Sequence, residues 1–181
     1  FGEPLPKISW TLPFLAFCAL VYNAAHSAPG PDGVPFACWK HAPEVLITTL
    51  YAAYLALLDG ANLPDDFNVA FMIFLAKGDE SGDSEQVVRN PEDTRPLSLS
   101  NTDAKVIANA IQAAAQPSVS VWAFFAQRGF LPARFMLDNV LEIEIEAVLA
   151  SMTKARSAAM VFFDFAAAFP SVAHAFIFIT L

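Results

Sequence analysis

The sequence predicts a mixed α/β (α+β) fold, and three patterns predict it. Apolar runs of strand length occur at 69–76 and 160–163. Apolar residues recur at helical spacing in three other stretches, at 43–60, 100–114 and 137–152. Clusters of Pro, Gly, Asp and Ser separate these blocks. With 181 residues, the chain makes one domain, or one and a fraction, and can bury about 70% of its unfolded surface.

Taken in order, residues 8–25 carry no charged side chain, and Leu12, Phe14, Leu15, Phe17, Leu20 and Val21 give them a membrane-like look. Pro13 interrupts the run, and the apolar core falls short of the ~20 residues a span requires. A buried helix is expected instead, as an N-terminal apolar segment over 1–27, with no membrane role. A turn cluster at 28–35 follows. Pro43 then opens a helix whose Leu46, Leu50, Tyr54, Leu57 and Leu58 fall on one face, and Gly60 closes it. Residues 69–76 form a strand too apolar to have a solvated face. Residues 78–93, with few apolar anchors, form an exposed loop to a second strand.

Ser100-Asn101-Thr102-Asp103 resembles a capping box, starting a helix through Ala114 with Val106, Ile107, Ala110, Ile111 and Ala114 inward. Another helix begins near Leu137, with Leu141, Ile145, Val148, Leu149 and Met152 on its buried side and Glu142 and Glu146 on its wet face. Lys154-Ala155-Arg156-Ser157 turns the chain into a last strand, which ends at Asp164.

The net charge of −8 argues against strong autonomous binding of nucleic acid, which leaves a basic footprint. Residues 1–71 carry two basic and six acidic groups, 72–110 four and seven, and 111–181 four and five, so no segment is basic. Cys18 and Cys38 have no paired spacing and no clustered histidines beside them, so neither a zinc site nor a disulfide framework is read. A 56% hydrophobic content with 17 Phe suits a chain that lacks part of its partner surface, and opening on Phe1 suits a fragment.

Asp164 needs a physical explanation, because a carboxylate after four strongly apolar residues loses hydration on burial unless it is bonded, paired or bound to a cation. It either caps a short Ala-rich helix that Pro170 stops, or it holds a divalent metal at the end of a core strand.

Five segments, in order, bear on that choice. They are Ala28-Pro29-Gly30-Pro31-Asp32-Gly33-Val34-Pro35; Phe71-Met72-Ile73-Phe74-Leu75-Ala76-Lys77-Gly78-Asp79; Thr94-Arg95-Pro96-Leu97-Ser98-Leu99-Ser100-Asn101 with Lys105-Val106-Ile107-Ala108; Gln127-Arg128-Gly129-Phe130-Leu131-Pro132-Ala133-Arg134 with Asp138-Asn139; and Asp164-Phe165-Ala166-Ala167-Ala168-Phe169-Pro170-Ser171-Val172 with His174. Together they resemble the motifs of a non-LTR (LINE-type) retrotransposon reverse transcriptase, from S-P-G-P-D-G-I-P to D-F-x-x-A-F-D-S-V-x-H. The resemblance covers 28–174 and implies that 28–181 is the fingers and first part of the palm of a truncated right-hand polymerase fold.

That resemblance implies an RNA-directed DNA polymerase whose parent uses an RNA template, a DNA primer, deoxynucleoside triphosphates and Mg²⁺. By the family pattern Asp164 is the catalytic metal ligand, with the Phe165 carbonyl beside it. Lys77, Arg95 and Phe169 would bind the incoming nucleotide, and Gln127 and Arg134 the template strand. An active parent would work inside the cell, in nucleus or cytoplasm.

The sequence also departs from the pattern. Pro170 replaces an acid, Ala133 stands where glycine is usual, Thr94 replaces an aromatic, and the chain ends at Leu181 before the family's later acidic strand and thumb. Two-metal chemistry needs several carboxylates, so the isolated chain is expected to be inactive. The alternative expectation is a non-catalytic module, derived from a degenerate retroelement, that binds nucleic acid or protein.

Overall fold

A computed structural model describes residues 9–79, 88–153 and 159–164, together with Ala173 and Ala175. It divides into two compact units, 1–125 and 126–181, so the 27/28 boundary read from sequence falls inside the first. The described residues combine helices with one small antiparallel sheet, an α+β composition.

The first unit is built from α1 (Phe14–Tyr22), α2 (Phe36–Lys40), α3 (Glu44–Leu58), β1 (Ala70–Ala76), β2 (Thr94–Ser100) and α4 (Thr102–Trp122). Pro13 and Pro43 immediately precede α1 and α3, where a fixed φ and a missing N–H cost the helix nothing. Phe17 and Val21 of α1, Phe36 of α2, Ile47, Leu50 and Tyr54 of α3, and Val106, Ile107 and Ala110 of α4 form one core. Aromatic contacts organise it: Phe17 meets Tyr51 edge-on at 5.2 Å and stacks against Tyr54 at 5.6 Å, centroid to centroid. The fully buried Tyr54 hydroxyl accepts the Leu12 N–H at 2.9 Å and donates to the Trp10 carbonyl, while Tyr51 donates to the Leu12 carbonyl at 2.9 Å. Those bonds fix the chain entering α1, and the charge-free run contains a helix, α1, packed through Phe17 and Val21. Among the described residues no helix is long and apolar enough to cross a membrane.

Several expectations are corrected. The buried line of α3 runs through Ile47, Leu50 and Tyr54, and Leu46 is exposed. Leu50 and Tyr54 are buried as expected, Leu57 and Leu58 pack partly buried against the same core, and Ile47 takes the place expected of Leu46. Helix α4 continues past Ala114 to Trp122 with Pro117 inside it. The strand at 70–76 forms, yet it is exposed along nearly its whole length, because among the described residues the sheet has two strands and no element covers its faces.

In the second unit α5 (Leu137–Met152) begins where the periodicity places it. Its apolar side is not buried: Leu141, Ile145, Val148, Leu149 and Met152 are all exposed. An amphipathic helix buries its stripe only against another layer, and α5 is the one helix longer than a turn among this unit's described residues. The expected strand before Asp164 is not formed: residues 160–163 carry no strand pairing and are exposed, Phe163 at 87%.

Candidate functional site

Two of the quoted motifs meet at the start of α4. The turn at 30–33 closes with Gly33 N–H donating to the Gly30 carbonyl at 3.0 Å, and Asp32 Oδ1 accepts the Val34 N–H at 3.0 Å. Asn101, which caps α4 by position, makes no side-chain capping bond. Its Oδ1 instead accepts the Asp32 N–H at 3.2 Å.

Thr102, fully buried, donates to the Val34 carbonyl at 2.9 Å and accepts the Trp39 indole N–H at 2.8 Å. Lys105 Nζ reaches the Ala28 carbonyl at 2.8 Å. Gly30 is pressed against this seat, since a Cβ there would lie 2.4 Å from Asn101 N and 2.5 Å from Ser100 C. The sequence marks Asn101 and Thr102 as part of a helix-capping stretch and Lys105 as part of the third motif, but carries no sign that all three serve the 28–35 turn.

The same junction roots the hairpin that carries Lys77 and Arg95. Strands β1 and β2 pair antiparallel with Leu75 opposite Arg95 and Ile73 opposite Leu97. The ladder extends to Lys77, whose N–H donates to the Asp93 carbonyl at 2.8 Å. Side chains alternate along a strand, so Lys77, two residues after Leu75, lies on the same face as Arg95 as its diagonal neighbour. Both cations are exposed. Lys77 Nζ also donates to the Glu92 main-chain carbonyl, and Arg89 donates to the Gly78 carbonyl at 3.2 Å across the far end of the hairpin.

Gln127 and Arg134 come together in the second unit: Arg134 Nη1 donates to the Gln127 carbonyl at 2.9 Å, and Gln127 Nε2 to the Gly129 carbonyl at 3.0 Å. The neighbouring Arg128 pairs with Glu142 of α5. Phe130 and Ala133 of this loop have φ of 63° and 57°. Ala133 therefore adopts the left-handed conformation that glycine would take without strain.

Asp164 is exposed. Phe165 and Phe169 lie outside the described residues. Among the described residues no three acidic, histidine or cysteine side chains gather into a possible metal site. Asp164 is one carboxylate where two-metal chemistry needs several, so holding Mg²⁺ would require further acids beside it.

Two clefts accompany these features. One of 460 Å³ in the first unit is lined mainly by Leu57, Phe67, Ile107 and Ile111 beside Lys105. One of 420 Å³ in the second is lined by Ala126, Asn139, Glu142, Ile143, Glu146 and Met160. Neither includes Lys77, Arg95 or Asp164. Comparison with protein-family models and with curated proteins returns no match.

Proposed function

We propose that this chain is the fingers and the opening of the palm of a non-LTR retrotransposon reverse transcriptase, whose intact parent joins deoxynucleotides to a DNA primer on an RNA template. The observation that carries the reading is the hairpin, on which Lys77 and Arg95 share one exposed face. A point-charge amine beside a planar guanidinium fork suits a triphosphate. The seating of the Pro29 to Val34 turn on Asn101 and Thr102 supports it further, because it gives two of the five motifs a shared structural purpose.

The chain's own residues bind and orient in this reading. Lys77 and Arg95 hold phosphate oxygens, Phe169 packs under the sugar, and Gln127 and Arg134 shape a loop beside the template. Magnesium, where several carboxylates hold it, lowers the pKa of the attacking hydroxyl. Asp164 would be one of those carboxylates, with the Phe165 carbonyl next to it, and the remaining acids belong to the parent's palm. The isolated chain is accordingly inactive.

Two measurements test this. Binding of dTTP by the chain should weaken about tenfold with Lys77→Ala or Arg95→Ala, the loss of one charge-assisted contact. Unchanged binding in both variants would refute the assignment. The intact parent should extend a primer on an RNA template, and Asp164→Asn should abolish extension.

The acidic balance and the exposed Asp164 favour a second reading, a non-catalytic binding module. Its signature is a parent that binds primer–template and never extends it.

A further inference from the structure

The two outer edges of the β1–β2 hairpin are not equivalent. Lys77 donates its N–H to Asp93, and in the observed register this makes the pairs Leu75 with Arg95 and Ile73 with Leu97 the hydrogen-bonded ones. Phe74 opposite Pro96, and Met72 opposite Ser98, are then non-hydrogen-bonded pairs, and their main-chain groups point outward. Pro96 has no N–H, so the outer edge of β2 is interrupted at its centre. The outer edge of β1 has no such block: from Ala70 to Ala76 it holds neither proline nor charge. Among the described residues no strand pairs with it.

We propose that this edge binds a second copy of the chain, β1 against β1 in antiparallel register about a twofold axis at Ile73. Three observations select that occupant. A twofold there sets Met72 of one copy opposite Phe74 of the other and Ala70 opposite Ala76, and their outward groups exchange about eight main-chain hydrogen bonds. No like charges meet, because β1 is neutral throughout. A two-stranded hairpin is marginal in water, whereas the pair makes four strands, continues the exposed apolar side chains of both faces, and closes at two because Pro96 blocks the far edges. The inference goes beyond the polymerase reading and does not depend on it.

The test is sedimentation of the full chain over a concentration series with hydrogen exchange in parallel. The expected result is a monomer–dimer equilibrium, with the Met72 and Phe74 amides gaining protection as concentration rises. Met72→Lys with Phe74→Lys sets lysines opposite lysines and should raise the dissociation constant at least about tenfold over Met72→Glu with Phe74→Lys, which sets opposite charges together. Both side chains are more than half exposed, so the monomer should keep its fold, as the tryptophan fluorescence reports. A monomer up to about 100 µM, assemblies larger than two, or equal dissociation of the two double variants would each overturn the proposal.

Discussion

Replacing Gly30 by alanine tests whether the 28–35 turn is seated on the start of α4. The added Cβ meets Asn101 N and Oδ1 at 2.4 Å and Ser100 C at 2.5 Å, about 1 Å inside ordinary contact and mostly against backbone. Retreat of the turn by that distance breaks the bonds from Asp32 N–H to Asn101 and from Thr102 to Val34, at about 1 kcal/mol each. Staying in place instead costs about 1–3 kcal/mol of overpacking. At 2.4 Å against backbone the overpacking lies at the upper end of that range, so either route destabilises by about 2–3 kcal/mol.

All three tryptophans, Trp10, Trp39 and Trp122, lie in the first unit, so their fluorescence in a urea titration follows that unit alone. With a slope of about 2 kcal/mol/M the midpoint should fall by roughly 1–1.5 M. Gly33 is the control. Its φ is +71° and a Cβ there meets nothing within 4 Å, so Gly33→Ala should cost only the backbone penalty of about 1 kcal/mol. Gly33→Asn should cost less, whereas Gly30→Asn should cost as much as Gly30→Ala or more. A Gly30→Ala midpoint no lower than that of Gly33→Ala would refute the seating argument.

Three further outcomes are expected. Tyr54→Phe removes a buried hydroxyl that serves both Leu12 N–H and the Trp10 carbonyl, and should lower first-unit stability by about 2 kcal/mol in the same titration. Ala133→Gly relieves a left-handed alanine and should slow amide exchange in the 127–134 loop by up to about fivefold, corresponding to about 1 kcal/mol. Burial, and then the charge of Glu44, push the Cys18 thiol up from its ordinary value, so it carries less thiolate than an unshifted thiol at any pH below that range. Iodoacetamide should modify the exposed Cys38 faster than Cys18 at pH 8, as mass spectrometry of the alkylated peptides will read.

Local signals in the sequence located the elements well. Pro43 and Gly60 bracket α3, the stretch after Ser100 begins α4, and Leu137 begins α5, because caps and helical periodicity are encoded within a few residues. Burial was less legible. The stripes on α5 and β1 name the side that would pack, but packing needs a second surface, and no described element of their own unit covers those apolar stripes. The same reason undoes the strand expected at 160–163, since strand character is realised only by pairing.

At the candidate site, the shared face of Lys77 and Arg95 follows from strand alternation once the register is known. Asn101 shows what motif reading overlooks. Its position says helix cap, while its oxygen is spent on a turn 69 residues earlier. Ala133 was flagged as a poor substitute for glycine, and it nevertheless adopts the positive φ of 57°.

The clasp between Gly30 and Asn101 and the strand ladder together govern how the chain tolerates change in length. The clasp fastens β2 at its exit, and the ladder from Ala70 to Lys77 holds both ends of the segment joining the two strands, so that segment closes between points already tethered. Doubling such a connection adds only about 0.6 kcal/mol of closure entropy. The hairpin tip can therefore be shortened, extended or used to carry an inserted sequence at little expense to the helical body, and variation among sequences of this kind should concentrate there.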